Sequence, residues 1–183
     1  VRSVVDDIGV DAIKVGMLGS AVTTSAVAET LDLAGDVPVV VDPVMVAESG
    51  AELLEPDARD ALVKEILPRA NVVTPNLAEA RRLASLGEDA SPAELAAAIR
   101  SLGPAAVVVT GGHADGTDVL DDGSGEPIEL RGQLHPGGAA HGSGCTHSSA
   151  LAALLARGLP LSEAAPLARE VAAEAIRTGL RGV

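Results

Sequence analysis

The chain has 183 residues, a formal net charge of −13 and no Phe, Trp or Tyr. Its length fits one domain with a substantial core, which aliphatic side chains must fill. The acidic balance argues against binding to nucleic acid backbones or an anionic membrane surface, because both are polyanions. The single cysteine, Cys145, excludes an intramolecular disulfide and a multi-cysteine zinc site, and it fits a reducing cytoplasm.

Short apolar runs alternate with helical stretches through the first part of the chain. The runs are compact and β-branched, which is typical of strands buried on both faces, and they cover Asp11–Leu18, Val37–Val41, Asn71–Thr74 and Ala105–Thr110. The spacing between and after them predicts helices over Ser25–Ala34, Pro56–Leu67, Leu77–Leu86 and Ser91–Leu102. This alternation predicts βαβ units and a parallel sheet with right-handed crossovers.

The rhythm changes after this series. Thr117–Leu120 and Pro127–Leu130 flank an acidic, glycine-containing turn, which predicts a hairpin. Two further helices are predicted over Thr146–Arg157 and Ser162–Thr178. The whole pattern is that of an α/β domain.

Polar and glycine-containing segments directly follow the predicted parallel strands. In open parallel sheets, ligands bind beyond the carboxyl ends of the strands, at helix N-termini. The segments are Gly16–Gly19, Asp42–Met45, Thr74–Glu79 and Thr110–His113. We therefore expect a ligand site where these segments meet the glycine-rich turn before Cys145.

That turn, His141–Ser149, runs small residues into an apolar stretch of helical period. The free N–H groups and the positive dipole end of a helix N-terminus favour a phosphate or another anion. Gly142 and Gly144 allow the backbone to approach such a ligand closely. The alternative is a turn that only caps a helix and holds a buried cysteine. The four histidines match no zinc spacing, and we expect them to be solvated turn residues. The alternative for His141 and His147 is that they pair with the proposed anion.

The motifs together resemble the ribokinase-like superfamily, and within it the hydroxymethylpyrimidine/phosphomethylpyrimidine kinases of thiamine biosynthesis. The segments that carry the resemblance are Gly16–Gly19, Asp42–Met45 with Ser49 and Gly50, and His141–Thr146. The resemblance implies a three-layer α/β fold with a mainly parallel central sheet, in one kinase domain over 1–183. The family pattern starts ahead of Val1, so we expect a domain that lacks its N-terminal strands.

The resemblance also implies ATP- and Mg²⁺-dependent phosphorylation of a small pyrimidine and assigns roles to residues. Cys145 stands where most of the superfamily has an aspartate general base, and we expect the helix N-terminus to lower the pKa of its thiol. The amides of Gly142, Ser143 and Gly144 would form the anion hole for the transferred phosphoryl group.

The remaining assignments lie at the strand ends. Acidic residues Asp42 and Glu79 would serve Mg²⁺, and Asn76 would order metal and phosphate through water; the alternative for Glu79 is a first-turn glutamate that complements the helix dipole. Met17 and Val44 would line the pyrimidine pocket. The nucleotide phosphates would be bordered by Thr110, where many pyrimidine kinases have lysine, and by Gly111 and Gly112.

Two rival functions remain open at this point. One is a pyridoxal or pyridoxine kinase, since fold and reaction are alike. The other is a non-catalytic nucleotide-binding remnant of the family. Under either kinase hypothesis we expect a cytoplasmic protein. Dimers are common in the family, so a homodimer is also expected.

Overall fold

The computed structural model describes residues 1–46, 53–111, 116–132 and 141–179. The strands are β1 (Ile13–Val15), β2 (Val39–Val41), β3 (Val72–Val73), β4 (Ala106–Val109), β5 (Asp118–Asp121) and β6 (Ile128–Leu130). The helices are α1 (Arg2–Asp7), α2 (Ala21–Leu31), α3 (Pro56–Ala61), α4 (Leu77–Ala84), α5 (Pro92–Arg100), α6 (Ser143–Ala156) and α7 (Leu161–Thr178). Within the described ranges, no helix is long and apolar enough to cross a membrane.

The strands form one six-stranded sheet in sequence order. Strands β1 to β4 are parallel, with Val15 opposite Val41 and Val41 opposite Val73. The hairpin of β5 and β6 continues the sheet in antiparallel fashion from β4. The predicted parallel series and the predicted hairpin are both confirmed.

The two faces of the sheet are buried by different helices. Side chains alternate along a strand, so Val39 and Val41 pack in one apolar cluster with residues of α2, α4 and α5, while Val40 packs in the other with Leu151 of α6 and Ala165 of α7. Helices therefore cover both faces of the sheet. This confirms the three-layer α/β class.

Four local features differ from the predicted elements. Helix α2 begins at Ala21 and not at the predicted Ser25, because the Ser20 side chain caps it by accepting from Thr23 N. Helix α1 has no counterpart in the prediction. Helix α3 continues through a π-helical turn (Leu62–Ile66) into a 3₁₀ turn (Leu67–Arg69) that contains Pro68, which has no N–H to donate to a regular helix. Helix α6 begins at Ser143, three positions before the predicted Thr146, because the small residues after Gly142 take up helical geometry.

Some residues of the sequence motifs lie outside the described ranges. They are Ser49, Gly50, Gly112, His113 and His135.

Candidate functional site

Asp42 lies just after β2, at the carboxyl edge of the parallel strands, and its side chain is buried. The Lys14 ammonium of β1 lies 3.1 Å from Asp42 Oδ2. The Ser148 hydroxyl of α6 donates to the same oxygen at 3.0 Å, and the Cys145 thiol also hydrogen-bonds the carboxylate. Of the four strand-end segments predicted to meet the Cys145 turn, the one after β2 therefore does so through Asp42.

The start of α6 is open toward this edge. Gly142 precedes the helix with φ +78°, in the left-handed region where glycine is favoured, and it offers no side-chain cap. The first helical hydrogen bond of this end runs from Thr146 N to Gly142 O at 2.9 Å. The amides of Ser143, Gly144 and Cys145 come before it, and first-turn amides have no partner within the helix. They form a donor array of the kind that binds anions.

The electrostatics of Cys145 differ from the expectation. The residue is exposed as a whole, yet partial desolvation of its thiol raises the pKa, and the negative charge and hydrogen bond of Asp42 raise it further. Lys14 acts in the opposite direction and Glu79 adds to the rise. The expected lowering of the pKa by the helix N-terminus is thus wrong, because desolvation of the thiol and, after it, the nearby carboxylates favour the protonated form.

Asn76 and Glu79 close the N-terminus of α4 with a capping box. The Asn76 side chain accepts from Glu79 N at 3.0 Å, and Glu79 Oε2 accepts from Asn76 N at 3.0 Å. Glu79 is buried, and desolvation is the main reason that its pKa rises to about 7, with the charge of Asp42 adding to the shift. Glu79 thus has the local role at a helix start that was the alternative in the sequence, and it fills this role as a member of a capping box, a pattern that Asn-x-x-Glu fits.

The charges of Asp42 and Glu79 suit a shared cation. Each carboxylate is buried, and the charge on Asp42 makes ionisation of Glu79 less favourable, a cost that a cation between them would relieve. Among the described residues, no group of three or more His, Cys, Asp or Glu side chains is arranged to hold a metal ion. Mg²⁺ keeps several waters and needs only one or two carboxylates, so this pair fits Mg²⁺ rather than a metal enclosed by protein ligands.

The segment after β4 is only partly available to a nucleotide. Thr110 N donates to Pro75 O at 2.8 Å, which fixes the strand end beside Asn76. The Gly111 amide donates to Asp118 Oδ1 at 2.9 Å, so that donor is already engaged. A Cβ on Gly111 would lie 2.0 Å from the Thr117 carbonyl oxygen, and this close approach accounts for the glycine without any ligand.

Met17 and Val44 stay predictions as pyrimidine contacts. Met17 is 60% exposed, and Val44 is half-buried. A cavity of about 580 Å³ begins at Leu18 and Gly19 and continues along the starts of α2 and α3. Neither Met17 nor Val44 is among its lining residues.

Two polar residues of the site, Lys14 and Ser148, were not predicted, and a third, His147, was predicted in the wrong environment. Lys14 could have been found, since it is a charge inside an apolar strand, whereas no feature of the sequence distinguishes Ser148. His147 is buried on α6, and burial is the main reason that its pKa falls to about 4. The expectation that it is a solvated turn histidine is wrong.

The parallel sheet, the start of α6 at its carboxyl edge and the buried carboxylates beside it are features of an α/β protein. The sequence pattern of the family described as "Phosphomethylpyrimidine kinase" matches residues 1–182. The chain belongs to this family.

Named relatives include enzymes with two kinds of substrate. The chain is 46% identical over 173 residues to a hydroxymethylpyrimidine/phosphomethylpyrimidine kinase of Rhizobium meliloti (strain 1021), covering 91% of this chain and 64% of the relative. It is 38% identical to a pyridoxine kinase of Bacillus subtilis (strain 168), covering 96% of this chain and 67% of the relative.

A solved structure of the Staphylococcus aureus pyridoxal kinase in complex with AMP-PCP and pyridoxal is similar to the chain, with a TM-score of 0.87 and 34% identity. The match covers 100% of this chain and 67% of that one. The chain thus spans about two thirds of the length of these relatives.

Proposed function

We propose that the protein transfers the γ-phosphoryl group of ATP to the hydroxymethyl group of 4-amino-5-hydroxymethyl-2-methylpyrimidine, and then a second phosphoryl group to the resulting monophosphate. Family membership supports the reaction class. The names of relatives such as the Rhizobium meliloti kinase support the substrate. The AMP-PCP in the Staphylococcus aureus complex supports ATP as the donor.

The open first turn of α6 would bind the transferred phosphoryl group. The amides of Ser143 and Gly144, with Gly142 before them, offer donors that are fixed before the reaction begins, which is how preorganised donors stabilise charge on a transferring group. Phosphoryl transfer needs positioning and charge stabilisation more than covalent chemistry from the protein. This turn therefore supplies much of what the reaction requires.

Cys145 Sγ would accept the proton of the substrate hydroxyl. The O–H bond breaks as the hydroxyl oxygen bonds to the γ-phosphorus, and ADP leaves with the electrons of the broken P–O bond. Only the thiolate can take the proton, and the raised pKa of Cys145 keeps the thiol protonated at neutral pH in the ligand-free protein. We therefore expect the rate of phosphoryl transfer to rise as pH increases above neutrality.

Asp42 and Glu79 would hold Mg²⁺ through water molecules, with Asn76 fixing the Glu79 backbone and carboxylate. When bound, Mg²⁺ neutralises the phosphate charge that develops in the reaction. Thr110 and the Gly111–Gly112 segment would border the nucleotide, and Met17 and Val44 the pyrimidine.

The observation that carries this proposal is the convergence of Asp42, Cys145 and the open end of α6. The test is an assay of phosphoryl transfer from ATP to the pyrimidine, with Glu79→Gln as the diagnostic variant. We expect Glu79→Gln to change the Mg²⁺ dependence of turnover more than the KM for the pyrimidine. If neither the parent nor this variant transfers phosphoryl but ATP still binds, the non-catalytic nucleotide-binding alternative gains support.

A pyridoxal or pyridoxine kinase is the second candidate. It is favoured by the Bacillus subtilis pyridoxine kinase and by the pyridoxal bound in the Staphylococcus aureus structure. Direct competition between the pyrimidine and pyridoxal, at equal concentrations and with both products quantified, distinguishes the two substrates. A ratio of kcat/KM values that favours pyridoxal would contradict the pyrimidine assignment.

We also propose that residues 1–183 belong to one kinase domain that acts in the cytoplasm as a homodimer. The size of the chain and the single sheet that runs through it support one domain. Sedimentation equilibrium on the purified protein measures whether it is a homodimer.

A further inference from the structure

Three elements of the fold meet at one carboxylate oxygen. Lys14 extends from β1, Asp42 follows β2, and Ser148 lies on the second turn of α6. The Lys14 ammonium is 3.1 Å and the Ser148 hydroxyl 3.0 Å from Asp42 Oδ2. The Ser148 hydroxyl also lies 3.2 Å from the carbonyl oxygen of Cys145, so it connects Asp42 to the first turn of the helix. We call Lys14, Asp42 and Ser148 the Asp42 clamp.

The clamp is largely shielded from water. Ser148 is fully buried, and the side chains of Asp42 and Lys14 are 6% and 22% exposed. Hydrogen bonds and ion pairs to a buried carboxylate are strong, because the alternative is an unpaired charge away from water. Both contacts use Oδ2, so they fix the rotation of the carboxylate group.

Gly16 makes room for this arrangement. A Cβ built on Gly16 would lie 2.8 Å from Lys14 Nζ. The ammonium therefore folds back over the backbone of Gly16 to reach Asp42, and a side chain at that position would displace it. The glycine has a negative φ, so its absence of a side chain serves this contact rather than the backbone conformation.

We propose that Lys14 and Ser148 are positioning residues for phosphoryl transfer: they hold Asp42 in one orientation and tie the open first turn of α6 to the ends of β1 and β2. This inference rests on the proposed function. Neither residue needs to touch the substrates, so the clamp acts on the geometry of the reacting groups. Misplacement of such groups lowers the rate of transfer more than it weakens ground-state binding.

Two variants test the clamp, each with a matched control. Lys14→Met and Ser148→Ala should lower kcat about 10-fold to 100-fold while the KM values for ATP and for the pyrimidine change by less than about threefold. Lys64→Met removes the other, exposed lysine, and Ser149→Ala removes the exposed neighbouring hydroxyl on α6; both should keep the parent kcat. Lys14→Arg retains the charge and should recover part of the loss.

Gly16→Ala provides a variant that displaces the ammonium without removing it. Its Cβ meets only the end of a flexible side chain, so the fold should persist. We expect a fall in kcat like that of Lys14→Met, and no additional fall in kcat when Gly16→Ala is combined with Lys14→Met. Additive losses in the double variant would overturn the role given to Lys14.

A structural readout separates this inference from the proposed function. Crystal structures of the parent, Lys14→Met and Lys64→Met show the Asp42 carboxylate without any turnover. We expect it to rotate away from Ser148 only in Lys14→Met. If the parent is inactive on both pyrimidine and pyridoxal, the proposed function fails while this measurement still tests the clamp. An unchanged Asp42 orientation, or a Lys14→Met kcat within twofold of the parent, overturns the clamp.

Discussion

Helices α4 and α6 both start near the carboxyl edge of the parallel strands, but their N-termini are finished in opposite ways. At α4, Asn76 and Glu79 satisfy each other's backbone amides in a capping box. At α6, Gly142 provides no side-chain cap, and no hydrogen bond among the described residues takes up the amides of Ser143, Gly144 and Cys145. One end is closed by its own sequence and the other is left for a ligand.

At this sheet edge, one helix start therefore contributes to stability and the other keeps backbone donors for a ligand. A side-chain cap stabilises a helix by roughly 0.5–2 kcal/mol and takes up the donors that an anion would use. At α4 the cap also fixes the Glu79 carboxylate within the influence of Asp42. At α6 that stabilisation is absent, and the donors next to Cys145 stay available. Removal of the α4 cap should therefore cost stability, whereas Cys145→Ala and Gly144→Ala in the first turn of α6 should chiefly affect turnover or ligand binding.

The largest effect should come from Cys145 at the open end. Cys145→Ala removes the proposed proton acceptor but leaves the backbone donors, so we expect kcat to fall about 10²–10⁴-fold, or roughly 3–5 kcal/mol of barrier, with ATP affinity retained. Steady-state kinetics and ATP titration measure the two quantities. A kcat within about threefold of the parent would make Cys145 a packing residue and leave the turn with phosphate binding alone.

The closed end should control the pH dependence of stability. Glu79 has a folded pKa of about 7 against an ordinary value of 4.5, so the folded state binds the proton more tightly than the unfolded state does. The contribution of Glu79 to stability is therefore fully present below its ordinary pKa and is lost as pH rises through the folded value, by up to about 3 kcal/mol. Urea unfolding between these pH values measures the slope.

Glu79→Gln should flatten that slope, because glutamine keeps the capping box and does not titrate. Glu94→Gln is the matched control at the same position of the α5 capping box. The hydrogen bonds of Ser91 lower the Glu94 pKa, so its contribution is lost as pH falls, which is the opposite direction. Equal slopes for the parent and Glu79→Gln would contradict the raised pKa.

The strands and most of the helices could be predicted from the sequence, because the patterns that indicate them lie within short segments. Val37–Val41 is β-branched and uncharged, and the capping box at Ser91 and Glu94 marked a helix start that the structure confirms. The start of α6 was placed too late, because Ser143 and Gly144 have low helix propensity and only their context makes them helical.

The electrostatics of the site depend on contacts that no local pattern reveals. Ser148 is 106 positions from Asp42 in sequence, and the Gly111 amide meets Asp118 only after β5 pairs with β4. The rise of the Cys145 pKa follows first from desolvation of the thiol and then from the carboxylates of Asp42 and Glu79, which lie in other parts of the chain. Sequence motifs identified which residues converge, whereas the direction of the thiol shift required their mutual placement.

The two capping boxes allow a direct test of what the α4 cap does beyond stabilising a helix. Asn76→Ala and Ser91→Ala should each cost about 1 kcal/mol of unfolding free energy, since each removes an N-cap side chain. Only Asn76→Ala should also reduce turnover, because only its partner Glu79 lies near Asp42. Urea unfolding and kcat on both variants decide the matter. A similar kcat for the two would assign Asn76 a purely structural role.

Substitutions at the two glycines of the open end should change stability in opposite directions. Gly142 has φ +78°, so Gly142→Ala should destabilise the protein by about 1–2 kcal/mol. The stability change of Gly142→Ala is compared with that of Gly144→Ala. Gly144 lies within the first turn of α6 and has a negative φ.

Gly144→Ala should stabilise the folded protein by roughly 0.5 kcal/mol, because alanine loses less backbone entropy than glycine in a helix. A Cβ on Gly144 would meet no atom of the described residues within 4 Å apart from its own turn of helix, so the methyl group has room and would narrow the approach of a ligand to this turn. We therefore expect weaker binding of AMP-PCP alongside the higher stability, measured by calorimetric titration and urea unfolding on the same sample. Unchanged AMP-PCP affinity would mean that phosphate does not approach the backbone at Gly144, and the open end of α6 would lose its assigned ligand.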